Sequence, residues 1–285
     1  MLITDDQKML FIHIPKCAGT SIRKSLSAIT AFPVEAFMND GIAIHDAEKL
    51  VQDASYDHPD LGRIKLDHLP LKSLRDYFPH VWSLLCGAHS FAVVRNPRDR
   101  FISGLRQRLR EFKGLGQADV TTDELRREAQ DVSAALEERD YFCDAEYIHL
   151  AKQADFTNLS GKRIVDKVFS MTALEEMRAW IASQCGTGVA SFDNNYNQSL
   201  RLRGVLAHAA KTVKPIYKNA VPAQRRSKIR AWINSSPLVR PAAQNYGAIN
   251  LGDDVEKFIL QYYAEDWSLY EELHNPGTLD TSATV

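Results

Sequence analysis

Cysteine is scarce, and what there is shows no pairing pattern: Cys17, Cys86, Cys143 and Cys185 are scattered through 285 residues with no CxxC. That spacing argues against a zinc ribbon or a disulfide framework and fits a reducing, cytoplasmic setting. Long apolar runs are missing too. No stretch approaches the roughly 18 residues that a membrane span needs. The opening MLITDDQKMLFIHIPK carries two aspartates where a secretory leader has positive charge, so no leader is expected. Neither sign of charge dominates. Lys plus Arg number 35 against 36 Asp plus Glu, a formal net charge of −1. Such a balance argues against a dedicated nucleic-acid partner or a polybasic membrane binder. Internal repeats and Pro/Ser-rich linkers are absent as well. The expectation is one domain over 1–275, with a flexible tail at 276–285 that lacks aromatics.

What is present is a globular composition. Apolar residues make up 45% and charged residues 25%, enough for a large core. Met9-Leu10-Phe11-Ile12-His13-Ile14 is short, apolar and stopped by Pro15, which reads as a buried strand. After a tight Lys16-Cys17-Ala18-Gly19 segment, Ile22, Leu26 and Ile29 fall at helical spacing. Strand, short loop and helix in this order open an α/β nucleotide-binding unit.

A second strand is expected at Phe91–Val94, followed by a helix from about Pro97 with Phe101, Leu105 and Leu109 on its buried side. A third spans Arg163–Phe169, and Thr172 with Glu175 then has capping-box spacing. The charged stretch Thr122–Arg139 reads as an exposed helix or lid. Asp254–Glu272 reads as one last helix, with Val255, Phe258, Ile259, Tyr262 and Tyr263 facing inward. The fold class expected is α/β: a P-loop-like parallel central sheet flanked by helices, with helical insertions.

The loop Ile14-Pro15-Lys16-Cys17-Ala18-Gly19-Thr20-Ser21 carries the most chemistry. A loop between a strand end and a helix start offers unpaired N–H groups and a positive dipole end, suited to a phosphate. Gly19 permits close approach, Thr20 and Ser21 add hydroxyls, and Lys16 adds a cation. Taken alone, a Gly-Thr-Ser here is equally a capped helix behind a strand. It is not the nucleoside-triphosphate loop, which puts lysine directly after its last glycine and a hydroxyl on magnesium. Here lysine precedes Gly19, so a donor that needs no metal fits best. Arg95 at the second strand's end and Ser103 on the following helix can converge on another anion. Asn96-Pro97 supplies the turn between them, and Arg98 and Arg100 are expected on the helix surface or paired with Asp99.

FIHIPKCAGTS resembles the 5′-phosphosulfate loop of sulfotransferases that use 3′-phosphoadenosine-5′-phosphosulfate (PAPS). The PK-x-x-GTS form is similar to the branch of Golgi carbohydrate sulfotransferases and their soluble bacterial relatives. The resemblance implies that Lys16, Gly19, Thr20 and Ser21, with the backbone of Cys17 and Ala18, hold the 5′-phosphate. Lys16 would also meet the bridging oxygen, and Cys17 would not be a nucleophile. VVRNPRDRFISG resembles the family's 3′-phosphate motif, which implies that Arg95 and Ser103 bind the 3′-phosphate. Tyr263-Ala264-Glu265-Asp266-Trp267-Ser268-Leu269-Tyr270 resembles the family's C-terminal helix, a structural element. Lys218-Asn219 falls where relatives often carry a Lys-Asn near the nucleotide. These matches run in order from Phe11 to Tyr270.

Sulfuryl transfer to an alcohol needs a base for the acceptor hydroxyl and positive charge at the departing oxygen. His68, in an H-x-P segment resembling the one where the family places its base, is the first candidate. His89 or a carboxylate is the alternative, and His13 reads as packed in its strand. Basic residues from Arg201 to Arg230 either meet an anionic acceptor or form a solvated face. The partner expected is a hydroxyl-bearing acceptor, carbohydrate or glycolipid first, with small alcohols and peptide tyrosine still open. A P-loop kinase or NTPase and a non-catalytic nucleotide-binding scaffold are the rival readings. The oligomeric state leaves no mark in the sequence.

Overall fold

The apolar run from Met9 does form a buried strand, and it stops at Ile12, ahead of the proline that could not donate to a ladder. The structure, a computed structural model, describes residues 1–43, 54–115, 120–139, 141–185, 199–202, 239–242 and 246–275. They fall in two compact units, one of 1–193 with 247–285 and one of 194–246.

The larger unit begins with β1 (Leu2–Thr4), β2 (Met9–Ile12), α1 (Gly19–Leu26), β3 (Thr30–Ala31) and α2 (Val34–Asn39). The hairpin β4 (Ser55–His58) and β5 (Gly62–Lys65) follows, then a 3-10 turn at Leu66–His68, α3 (Leu71–Tyr77) and α4 (Pro79–Gly87). Next come β6 (His89–Val94), α5 (Pro97–Glu111) and α6 (Thr122–Glu137). The unit closes with β7 (Asn158–Leu159), β8 (Lys162–Arg163), β9 (Lys167–Ser170), α7 (Leu174–Cys185), α8 (Asp253–Tyr262) and α9 (Ala264–His274). In the smaller unit, β10 (Ser199–Leu202) pairs antiparallel with β11 (Val239–Ala242).

The central sheet has the order β3-β1-β2-β6-β9. β2, β6 and β9 are parallel, in registers that set Phe11 against Phe91 and Phe91 against Lys167. β1 runs against both of its neighbours. The sheet is therefore mostly parallel, not wholly so. Met9 to Ile12 and Phe91 to Val94 are buried without alternation, as strands covered by helices on both faces should be. In such a sheet the loops leaving the carboxyl ends of parallel strands gather on one side. The loop after β2 and the loop after β6 share that side.

Four expectations change. The strand read at Arg163–Phe169 is broken: the turn at Ser160 and Gly161, both with positive φ, folds Lys162–Arg163 into a hairpin with Asn158–Leu159. Only Lys167–Ser170 joins the sheet, after Asp166 has taken the Ser90 N–H at 2.7 Å and its hydroxyl at 2.9 Å. Thr172 is no helix cap, because α7 starts at Leu174. Its hydroxyl meets Ser170 Oγ at 2.8 Å.

The charged stretch is not an exposed lid. α6 buries Leu125, Glu128, Ala129, Val132, Ser133 and Leu136, and Glu128 pairs with Arg108 and Lys113. A capping box between Thr121 and Glu124 starts it. The last helix is two, since the chain turns at Tyr263. No described helix is long and apolar enough to cross a membrane. The tail at 276–285 lies outside the described residues.

Candidate functional site

The loop between β2 and α1 is built from unusual backbone. Lys16 (φ 68°) and Ala18 (φ 60°) are both left-handed without being glycine. Alternation of this kind turns successive N–H groups toward one concave side, the geometry of an anion nest. The first turn of α1 adds its own donors. Ser21 and Ile22 N–H bond back to Ala18 O at 2.9 and 3.1 Å, fixing Ala18 as the cap. Gly19 is needed for space: a Cβ there would lie 1.6 Å from His13 Nε2.

Lys16 is half-buried, and its Nζ donates to Gln107 Oε1 on α5 at 3.2 Å. Burial pulls its pKa down to about 8, with Arg110 and Arg95 adding to the fall and Glu111 opposing it. Gln107 also receives Arg110 and donates to Glu111. Thr20 is exposed and Ser21 buried. Cys17 is buried, and burial pushes its thiol up to about 11. It stays protonated, as a packing residue should.

Arg95 sits at the end of β6, with Nη1 3.5 Å from Lys16 O and Nη2 3.8 Å from Asp99 Oδ2. Asn96 caps α5 by accepting from Asp99 N–H at 3.1 Å, and Pro97 takes the first helical position. Asp99, Ser103 and Gln107 then repeat every four residues along one side of α5. Arg95 meets the first of them and Lys16 the last. Half-buried Ser103 lies one turn from each.

Arg98 is half-buried, and Arg100 is not on the surface at all. Arg98 forks onto Glu256 of α8 at 2.6 and 2.7 Å. Arg100 is 1% exposed, and its Nε donates 3.0 Å to Pro15 O at the start of the loop.

Behind the loop is a cluster that the sequence only half reveals. The His13 ring lies against Gly19, and the His68 ring is 4.2 Å from that of His13. His149 follows, its ring 5.7 Å from His68 and its Nδ1 3.8 Å from Glu111. Gly104 lets the His149 backbone approach α5, because a Cβ would fall 2.9 Å from His149 O.

His68 Nδ1 is 3.0 Å from His13 O. A carbonyl only accepts, so the neutral ring carries its proton on Nδ1 and leaves the Nε2 lone pair basic. Burial lowers the His68 pKa, while Asp67, with Oδ2 3.6 Å from Nε2, works against that fall. Burial lowers His13 and His149 further. His13, Asp67 and His68 bring three ligand-type atoms within 4.8 Å of one another. The Asp67 oxygen they share is ion-paired with Arg23 Nη1 at 3.1 Å, a cation standing where a metal would bring its own charge.

His89 begins β6, beside Met9 and with its N–H on Lys8 O at 2.7 Å. It is thus at the opposite end of the strand from Arg95. At about 3.3 Å per residue that is some 20 Å away.

Residues 1–271 match the family model of the sulfotransferase family. The chain belongs to the sulfotransferase family. No curated protein and no solved structure matches it. Membership agrees with the mostly parallel central sheet flanked by helices.

Against the site residues expected from sequence, the structure brings Lys16, Cys17, Ala18, Gly19, Thr20, Ser21, Arg95 and Ser103 into one neighbourhood. His68 stands one ring behind it. Lys218 and the basic residues from Arg203 to Arg230 lie outside the described residues. Sequence reading missed Gln107, Glu111, His149 and Gln153, which belong to no motif in the chain. The YAED segment is structural, as the resemblance implies. Buried Asp266 accepts from Gln153 and Ala154 N–H at 2.8 and 2.9 Å, and Tyr263 donates to Leu150 O at 2.6 Å.

Proposed function

We propose that this sulfotransferase-family chain takes its sulfuryl group from PAPS and delivers it to an acceptor hydroxyl, carbohydrate or glycolipid first. What carries the reading is the meeting of the two anion loops, with Arg95 Nη1 3.5 Å from Lys16 O. A donor with phosphate at both ends of one nucleoside calls for two such loops at fixed spacing. The nest at Lys16 to Ser21 suits the 5′-phosphate, and Arg95 with Ser103 suits the 3′-phosphate. The half-buried Lys16 ammonium would neutralise charge on an oxygen leaving that nest. PAPS supplies the activated sulfuryl group and the leaving 3′,5′-bisphosphate.

In this reading His68 Nε2 accepts the acceptor's proton as the acceptor oxygen bonds sulfur and the bridging S–O bond breaks. Asp67 then steadies the imidazolium. His89 is too far along its strand to serve. The acceptor class rests on the PK-x-x-GTS resemblance. A reducing, cytoplasmic setting belongs to this reading on the cysteine spacing of the sequence alone.

Calorimetry with adenosine 3′,5′-bisphosphate, AMP and ATP in EDTA tests the donor. The bisphosphate should bind at least about tenfold tighter than AMP, because one more charged phosphate contact is worth that much. Parity with AMP removes the role given to Arg95 and Ser103. A metal requirement removes the metal-free donor.

A further inference from the structure

Gln153 is fully buried and joins the two loops with one side chain. Its Oε1 accepts the Arg95 N–H at 2.8 Å, and its Nε2 donates to Arg95 O at 2.9 Å. The same Oε1 accepts from Cys17 Sγ at 3.2 Å. The amide thus pairs with the Arg95 backbone at two points, as a neighbouring strand would, while holding the 5′ loop by its thiol. Gln153 is itself fixed, since Asp266 of α9 takes its N–H and that of Ala154 at 2.8 and 2.9 Å.

We infer that Gln153 is a positioning residue that sets the spacing between the 5′-phosphate loop and the 3′-phosphate loop. This rests on the reading of those loops as a bisphosphate site. The Arg95 backbone lies just beyond the ladder of β6, which ends at Val94. A supplied acceptor and donor therefore fix where the Arg95 side chain departs. Cys17 is flanked by left-handed Lys16 and Ala18, a shape that no ladder or helix hydrogen bond enforces. A buried carboxamide is rigid, neutral and able to donate and accept at once. A carboxylate would repel the Arg95 carbonyl, and an apolar side chain would take the amide away from the Arg95 N–H and C=O and leave the thiol only its longer contact to Pro15 O at 3.6 Å.

A spacing role has a signature that simple stability lacks. It affects a ligand that touches both loops more than one that touches a single loop. The readout is the ratio of affinities for adenosine 3′,5′-bisphosphate and AMP, measured on folded protein. Gln153→Leu should lower that ratio by about ten- to a hundredfold, with AMP affinity changed much less. Gln153→Glu should fall between, since it keeps the acceptor but not the donor.

If Gln153→Leu does not fold, Cys17→Ala removes the loop-side bond, with the thiol's 3.6 Å contact to Pro15 O, and leaves both bonds to Arg95 in place. It should still lower the ratio severalfold, and Cys17→Ser, which keeps a donor, should restore it. Wild-type parity between the two nucleotides would overturn the bisphosphate reading and this inference with it. A strong wild-type preference that survives unchanged in folded Gln153→Leu or Cys17→Ala overturns the inference alone.

Discussion

Lys16 Nζ and Gln107 Oε1 are 3.2 Å apart, which holds the loop's ammonium over α5 one turn beyond Ser103. An amide partner is neutral, so it orients the cation without cancelling its charge. A carboxylate in that place would compete with a phosphate. Gln107 instead passes its own donor on to Glu111.

The lysine's pKa near 8 makes donor binding sensitive to alkali. Between the phosphates' own second pKa of about 6 and that pH the ammonium is charged, and affinity for the bisphosphate should be flat. Above it the free protein loses the charge, and affinity should fall with rising pH. Lys16→Met should bind more weakly and show no such fall. Its kcat should drop by about 10²–10³-fold if the ammonium also meets the leaving oxygen. An unchanged kcat with raised KM would leave Lys16 only an anchor.

His68 should give the opposite limb. Burial lowers its pKa below the ordinary imidazole value of 6.5, so the basic Nε2 persists into mildly acidic solution. The kcat/KM profile should therefore stay flat through 6.5 and fall only at lower pH. His68→Ala should keep bisphosphate affinity while losing about 10²–10⁴-fold in turnover. Asp67→Asn removes the group that opposes the fall, and should move the limb further to acid. A limb unmoved by either substitution assigns the base elsewhere, with His149 next in line.

Asp155 offers a prediction about stability. Burial, then Asp266, raises its pKa to about 7; Lys152 opposes them, and Glu265 and Arg100 act less strongly in opposite directions. The folded protein holds this proton at pH values where the unfolded chain has released it. Stability is therefore lost as pH rises from the unfolded value toward 7, and the loss is complete above it. Asp155→Asn should leave the Tm nearly unchanged below the unfolded pKa and raise it by about 4 °C or more in mild alkali. A gain at both pH values would mean that the charge is not the cause.

The strand, loop and helix from Met9 to Leu26 are plain in the sequence, because apolar runs, a proline stop and helical spacing are local signals. The same holds for Phe91 to Leu109. The rest depends on contacts between distant segments. Glu128 makes α6 read as solvated, yet the buried carboxylate is matched by Arg108 and Lys113. Arg100 reads as a surface cation, but its partner Pro15 is 85 residues away. Gln153 has no local pattern at all, for it acts through Arg95 and Cys17. The strand expected from Arg163 is interrupted at Ile164 to Asp166, where Ile164 and Val165 N–H turn to Thr157 O, a partner no local pattern announces. Side chains that bridge elements are legible only once the elements meet.

Gly19 and His13 occupy the same space, with a Cβ on the glycine falling 1.6 Å from the imidazole. The two positions are therefore not free to drift apart in evolution. Among relatives, alanine or serine at 19 should occur only where 13 has shrunk, and a full-sized ring at 13 should always travel with glycine. Such a covarying pair, six positions apart, is a stricter fingerprint for recognising this loop in divergent chains than the glycine by itself. It also marks Gly19→Ala combined with His13→Ala as the double substitution that should restore what Gly19→Ala alone destroys.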